Sequence, residues 1–465
     1  MSQGQATRST LALERVTHFT VPPPLASTVT RGQRAGRAYN RVVARRFPRG
    51  FRWGTATSAH QVEGCNCNND WWAFEQLPGR IRRGDRSGRA CDWWRNAEAD
   101  FDRMVALHLN AHRLSVEWSR LEPEAGRVDE FSVRRYRQML RGLRERGVEP
   151  MVTLNHFTLP LWVARAGGWE NPAVVEWFGG FARRCAEWFG DLVDLWVTVN
   201  EPNLVVVLGY LQGRHPPEVR NPRRALRAAR HLLRAHAAAY RALHEVQPQA
   251  RVGIAHHLRP MDPEREGHPL DVRVARWHGE WFNWMWLDLL HRGVAERWWS
   301  PGPLPECAGT LDFVGVNYYT RDRVRFAPWA PHTAWGVHRP SRGAPTSDFG
   351  YGEIYPEGLY RVLREAWQRY GKPLYVTENG LPDAEDRWRP RFLVDHLAAV
   401  HAALSEGIPV LGYYHWSLVD NFEWTEGWRM KFGLLGLDPV SQRRWPRPSA
   451  SVYAEVCAAN TVPDP

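Results

Sequence analysis

From Phe51 onward, short apolar runs rich in β-branched residues alternate with longer stretches of helical period. That alternation is the sequence form of repeated βα units around a parallel sheet. Eight strands are predicted: Arg52–Thr57, Ala111–Glu117, Glu149–Asn155, Leu195–Asn200, Val252–His256, Phe313–Asn317, Leu374–Glu378 and Val410–Trp416. Helices are predicted between them, among them Asn96–Leu107 and Arg134–Arg146, the latter stopped by Gly147. Eight units in one chain point to a closed (β/α)₈ TIM barrel rather than an open, doubly wound sheet. No Gly/Ser linker divides two cores, so residues 48–465 read as one barrel domain. Two long irregular stretches, Cys65–Cys91 and Pro328–Asp348, read as loops over one mouth. Residues 1–47 carry Ser, Thr, Arg and Pro around Pro22-Pro23-Pro24, with Glu14 as the lone acid. Such a stretch has little apolar surface to offset the entropy of ordering, and reads as a flexible basic extension.

The formal charge is +11, and Lys372 and Lys431 are the only lysines among 61 cationic residues. A strong positive balance can serve nucleic acid or an anionic surface. Here the arginines are spread along the chain and mixed with acids, as in Arg141 to Arg146, so neither partner is expected. No run of eighteen apolar residues is present, which leaves no membrane-spanning helix. The N-terminal stretch has no apolar signal core, and a cytoplasmic enzyme is expected. Cys65 and Cys67 stand too close for usual zinc spacing and have no matching Cys/His pair downstream. All six cysteines read as free buried thiols, with no metal.

Polar residues at strand ends carry the functional signal. The fourth strand runs out through Asn200-Glu201-Pro202 and the seventh through Glu378-Asn379-Gly380. The third ends at Asn155-His156-Phe157, the eighth at Tyr414-His415-Trp416. A carboxylate at such a tip could simply cap the next helix. Two of them, each beside an asparagine and joined by His and Trp from other strands, fit a barrel active site at the C-terminal strand ends better. Paired carboxylates across a barrel mouth are what glycosidic cleavage requires: one attacks the anomeric carbon, the other protonates the leaving oxygen. The chain also holds 25 tryptophans. Most will only pack, but Trp416 and Trp424, flanking Asp420-Asn421-Phe422-Glu423, are placed to face a sugar.

Seven stretches carry a resemblance: FRWGTATSAHQVEG (51–64), HRLSVEWSR (112–120), TLNHFTLP (153–160), TVNEP (198–202), FVGVNYY (313–319), YVTENG (375–380) and WSLVDNFEW (416–424). In this order, over Phe51 to about Tyr453, they resemble the β-glucosidase family, family 1 of the glycoside hydrolases. The resemblance implies a retaining exo-β-glycosidase with Glu378 as nucleophile and Glu201 as acid/base. It implies that Gln61, His156, Asn200, Glu423 and Trp424 hold the hydroxyls of the −1 sugar above a floor formed by Trp416. Arg113 and Tyr319 would contact Glu378, with Asn317 in support. No cofactor is implied, and the expected partner is a small β-glycoside or oligosaccharide.

The chain departs from the family pattern at Phe157, where Trp is common, at Val116-Glu117, and at Trp428 to Gly433. Glu423 would repel a 6-phosphate, so an unphosphorylated glucoside is expected, with galactosides and fucosides as further substrates. A transglycosidase and a catalytically silent sugar-binding barrel are the competing readings; the presence of both carboxylates argues against the second. For a retaining enzyme the two carboxyl groups should lie roughly 5–5.5 Å apart.

Overall fold

The computed structural model describes residues 45–295 and 300–463. Eight parallel strands close on one another: β1 (Arg52–Ala56), β2 (Ala111–Ser115), β3 (Glu149–Asn155), β4 (Leu195–Asn200), β5 (Arg251–His257), β6 (Phe313–Tyr318), β7 (Leu374–Asn379) and β8 (Val410–Trp416). β8 pairs with β1 and completes the ring, Tyr414 standing opposite Gly54. Each expected strand is present, with ends moved by two residues or fewer.

Outside the ring run α1 (Trp93–Ala106), α2 (Glu130–Glu145), α3 (Val174–Phe189), α4 (Pro222–Val246), α5 (Met285–Arg292), α6 (Pro356–Tyr370), α7 (Arg389–Ser405) and α8 (Pro448–Ala459). Their ends follow local chemistry. Asn221 accepts from the amides of Arg223 and Arg224 at 3.0 and 3.2 Å, with Pro222 at the first position of α4. α2 begins a turn earlier than expected because Asp129 caps it, and it ends before Gly147, whose φ is +70°. α1 begins at Trp93, but Asn96 interrupts it with φ −131°, so the expected start marks a kink inside the helix.

The strands are buried on both faces, as a barrel wrapped in helices demands. Ala111, Met151, Leu195, Val197, Ala255, Phe313, Tyr375 and Tyr414 fill one continuous interior cluster. Arg52 and Glu149 form an ion pair beside the Tyr375 ring.

Four expectations need correction. Arg45 and Arg46 pair antiparallel with Val462 and Thr461, and the Phe47 ring packs 4.7 Å from Trp53. The folded body therefore includes residues 45–47; the rest of the proposed extension, residues 1–44, lies outside the described residues. The stretch from Pro328 to Asp348 is not wholly irregular, since Gly336–Arg339 pairs with Asp322–Phe326, which pairs with Met261–Pro263. Cys65–Cys91 likewise contains a helix, Asp70–Glu75, whose Asn69 cap was not recognised. The cysteines are all free, but Cys65 and Cys67 are exposed rather than buried.

Candidate functional site

Glu378 and Glu201 both leave their strands at irregularities. The β7–β6 register slips between Val376 and Glu378, and the β4–β5 register slips between Val197 and Asn200. A bulge re-aims a side chain that regular pleating would turn elsewhere. Glu201 itself adopts φ 45°, ψ 56°, unfavourable for a residue with a Cβ, and its amide is held by the Ala255 carbonyl at 2.7 Å.

The two carboxyls have different neighbours. Arg113, fully buried, reaches Glu378 Oε1 through Nη1 at 2.5 Å, while Tyr319 donates its hydroxyl to Oε2 at 2.6 Å. Arg113 is itself fixed: Nε donates to Thr153 Oγ1 at 3.0 Å, and Nη2 to Asn200 Oδ1 at 2.7 Å. Glu201 takes its bonds through Oε1 alone, from Asn317 Nδ2 at 3.0 Å and from His257 Nδ1 at 2.9 Å. Asn317 also donates to Asn200 Oδ1 and accepts from Thr377 Oγ1, which sets its amide orientation.

Burial pushes both carboxyls up to about 7. On Glu378 the raising effect of burial is opposed first by the Arg113 charge, then reinforced by the charge of Glu201. Two such acids titrate as a pair. The one paired with a guanidinium and a phenol is the one that ionises first, so Glu378 carries the charge while Glu201 keeps the proton.

An aromatic wall adjoins the pair. The His156 ring stacks between Trp416 and Trp424, with centroids 5.8 and 6.0 Å away. Desolvation pushes the His156 pKa far down, so the ring is neutral. Its Nε2 faces Asn200 Nδ2 at 3.2 Å and must accept, leaving Nδ1–H as a buried donor with no protein partner. The Trp416 indole donates to Glu423 Oε1 at 3.2 Å. Gln61 Nε2 bonds Asn421 Oδ1 and the Phe422 carbonyl, which fixes the loop carrying Glu423. Burial, opposed by the Trp416 bond, lifts the Glu423 carboxyl to about 8. This group is therefore largely protonated near neutral pH, which differs from the charged acceptor the sequence suggested.

The structure thus brings together Gln61, Arg113, His156, Asn200, Glu201, Asn317, Tyr319, Glu378, Trp416, Glu423 and Trp424. It excludes His415, whose ring lies 6.2 Å from Tyr453 of α8. Phe157 sits edge-on to Trp424 at 5.0 Å, with φ 73°, and supports that indole. Sequence reasoning missed His257 and Arg259 on the fifth strand end, although the same signal, polar residues closing an apolar strand, is present there. It also missed Tyr351, edge-on to Tyr319 at 6.1 Å and to Phe432 at 5.4 Å. Among the described residues no group of three His, Cys, Asp or Glu is placed to hold a metal ion, and no helix is long and apolar enough to cross a membrane.

Acid and base held in dissimilar surroundings, beside indoles and amides at the C-terminal mouth of a (β/α)₈ barrel, define a glycoside-cleaving barrel. Comparison with known proteins narrows the class. The model of Glycosyl hydrolase family 1 matches residues 43–462. Beta-glucosidase A of Thermotoga maritima is 34% identical over 448 residues, covering 90% of this chain and 99% of its own length. A beta-galactosidase of Pyrococcus woesei is 33% identical, covering 90% and 98%. Among solved structures, a beta-glycosidase from Pyrococcus horikoshii superposes with a TM-score of 0.85 at 38% identity, covering 91% of this chain and 97% of that one. The chain belongs to glycosyl hydrolase family 1 and is a retaining β-glycosidase.

Proposed function

We propose that this enzyme removes terminal, unphosphorylated β-D-glucosyl residues, and β-galactosyl or β-fucosyl residues as well, by double displacement with Glu378 as nucleophile and Glu201 as acid/base. The observation that carries the reading is the asymmetry of the two carboxyls: Glu378 is bound by Arg113 and Tyr319, whereas Glu201 faces neutral amide and imidazole donors. In the first step the Glu378 carboxylate attacks the anomeric carbon, while Glu201 gives its proton to the departing oxygen. In the second, Glu201 takes a proton from water, which attacks the same carbon and releases Glu378. Gln61, His156, Asn200, Glu423 and Trp424 hold the sugar hydroxyls, with Trp416 as the floor. Relatives named for glucoside and galactoside hydrolysis support both sugars. The absence of a membrane-spanning helix among the described residues is compatible with a cytoplasmic setting, which is part of this proposal.

The test follows a nitrophenyl β-glucoside by NMR. The β-anomer should form first, and Glu378→Gly should lose nearly all turnover while keeping its melting temperature. Azide added to Glu378→Gly should restore partial turnover with an inverted product. An α-anomer from the unmodified enzyme, or an undiminished rate in Glu378→Gly, would overturn the assignment.

A further inference from the structure

The imidazole of His257, at the end of β5, lies between Glu201 and a guanidinium. Arg259 approaches His257 Nε2 with both Nε, at 3.2 Å, and Nη2, at 2.8 Å. A guanidinium has no lone pair to offer, so Nε2 can only accept. Burial and the Arg259 charge push the His257 pKa far down, so the ring is neutral and its one hydrogen lies on Nδ1. That hydrogen points at Glu201 Oε1, 2.9 Å away, the same oxygen that accepts from Asn317.

We propose that His257, locked in one tautomer by Arg259, is a positioning residue that places the catalytic proton of Glu201 on Oε2. With Oε1 occupied by two N–H donors, a carboxylic hydrogen on that oxygen would meet hydrogens. Oε2 is the oxygen left to carry the proton to the leaving group and, in the second step, to take one from water. The inference rests on Glu201 being the acid/base.

Other parts of the fold hold this arrangement in place. The Arg259 backbone is clamped by Asn283, which accepts from its amide at 3.1 Å and donates to its carbonyl at 2.8 Å. Asn283 lies in a wide helical turn, Glu280–Trp284, and such turns recur at functional sites. The Arg259 guanidinium pairs with Asp322 at 3.1 Å, and Asp322 accepts from His338 Nδ1 at 2.9 Å. The small sheet formed by Met261–Pro263, Asp322–Phe326 and Gly336–Arg339 therefore braces the acid from behind. On the imidazole faces lie Tyr319, stacked at 5.7 Å, and Phe282, edge-on at 5.7 Å. The charged and titratable groups facing Glu201 and His257 are Arg113, Arg259, His256, Asp322, Glu378, Tyr319 and Tyr351.

The sign of the effect follows. An N–H donor on Oε1 favours the ionised form of Glu201, so its removal raises that pKa. His257→Leu should move the basic limb of kcat/KM upward by about 0.5–1 pH unit. It should also lower kcat/KM about tenfold for alkyl glucosides, whose leaving groups need protonation, and about twofold or less for dinitrophenyl glucoside. His257→Asn keeps a short N–H donor and should restore both. Should His257→Leu not fold, His257→Met keeps comparable bulk and the Arg259 charge but offers no N–H donor, and should show the same upward shift. A wild-type limb and leaving-group dependence in the folded variant overturns the proposal, as does a loss that Asn does not repair. Glu201→Ala, run alongside, must itself discriminate between leaving groups; if it does not, the acid/base reading fails rather than the role of His257.

Discussion

Under the proposed function, Glu423 is the side chain that would decide which sugar is accepted. Trp416 donates to its Oε1, and burial holds its carboxyl at about 8. Sugar hydroxyls donating to both oxygens favour the ionised form, so substrate binding draws a proton off this group. A hydrogen bond to a charged acceptor contributes about 1.5–3 kcal/mol, so Glu423→Ser should lower kcat/KM for glucosides by roughly one to two orders of magnitude. Fucosides, which lack the 6-hydroxyl, should lose less. Discrimination against 6-phosphoglucosides should relax, because the variant removes a buried carboxyl that either repels the phosphate or must stay protonated beside it. Kinetics on the three sugars, with melting temperatures measured beside them, checks this. A uniform loss across all three would show that Glu423 acts on structure and not on the sugar.

At the scale of the element, the strand ends decide how the site is built. β7 delivers Glu378 through a slipped register and then passes close against the end of β8 at Gly380: a Cβ there would meet the Trp416 carbonyl oxygen at 1.9 Å. Gly380→Ala must therefore push β7 away from β8, carrying Glu378 off its place against Arg113. A displacement near 1 Å costs on the order of 10²-fold in rate. Activity should fall by that factor while the circular dichroism of the barrel persists; wild-type kcat would show that the strand end yields without moving Glu378. These elements also show what could be read from sequence. The strands were legible because burial on both faces leaves near-continuous apolar runs, which a polar residue interrupts only where a site needs it. Glu201, Glu378, Asn200 and His156 stand out for that reason. His257 was as visible but lay in none of the seven motif stretches, and Arg259 gains its meaning only from the fold, which sets it against His257 and against Asp322, 63 residues away. The sheet at Gly336–Arg339 stayed hidden because a four-residue strand among Pro and Gly carries no clear period.

For the whole molecule, the site is a load on stability, and its sign can be worked out. Glu201 holds its proton up to about 7 in the folded state, whereas an unfolded glutamate loses it near its ordinary value of 4.5. Below that value both states are protonated and nothing is lost. As pH rises from about 4.5 to 7, the unfolded chain ionises first, so the folded state loses stability across that window. The loss is complete above it, where a buried carboxylate stands beside the charged Glu378. Glu201→Gln has the same shape, keeps a carbonyl oxygen for Asn317 and His257, and cannot ionise. It should therefore be more stable than the unmodified enzyme at pH 8, by on the order of 1–3 kcal/mol, and melt higher, with the difference shrinking toward pH 4. The same substitution removes the acid, so stability should rise as hydrolysis of alkyl glucosides falls. The opposing ion pair sharpens the test, since Arg113 is left with Glu378 alone and that pair strengthens when the second negative charge goes. Calorimetry of both proteins from pH 4 to pH 8 decides it: a difference in melting temperature that does not change with pH would mean that Glu201 is not held protonated by the fold.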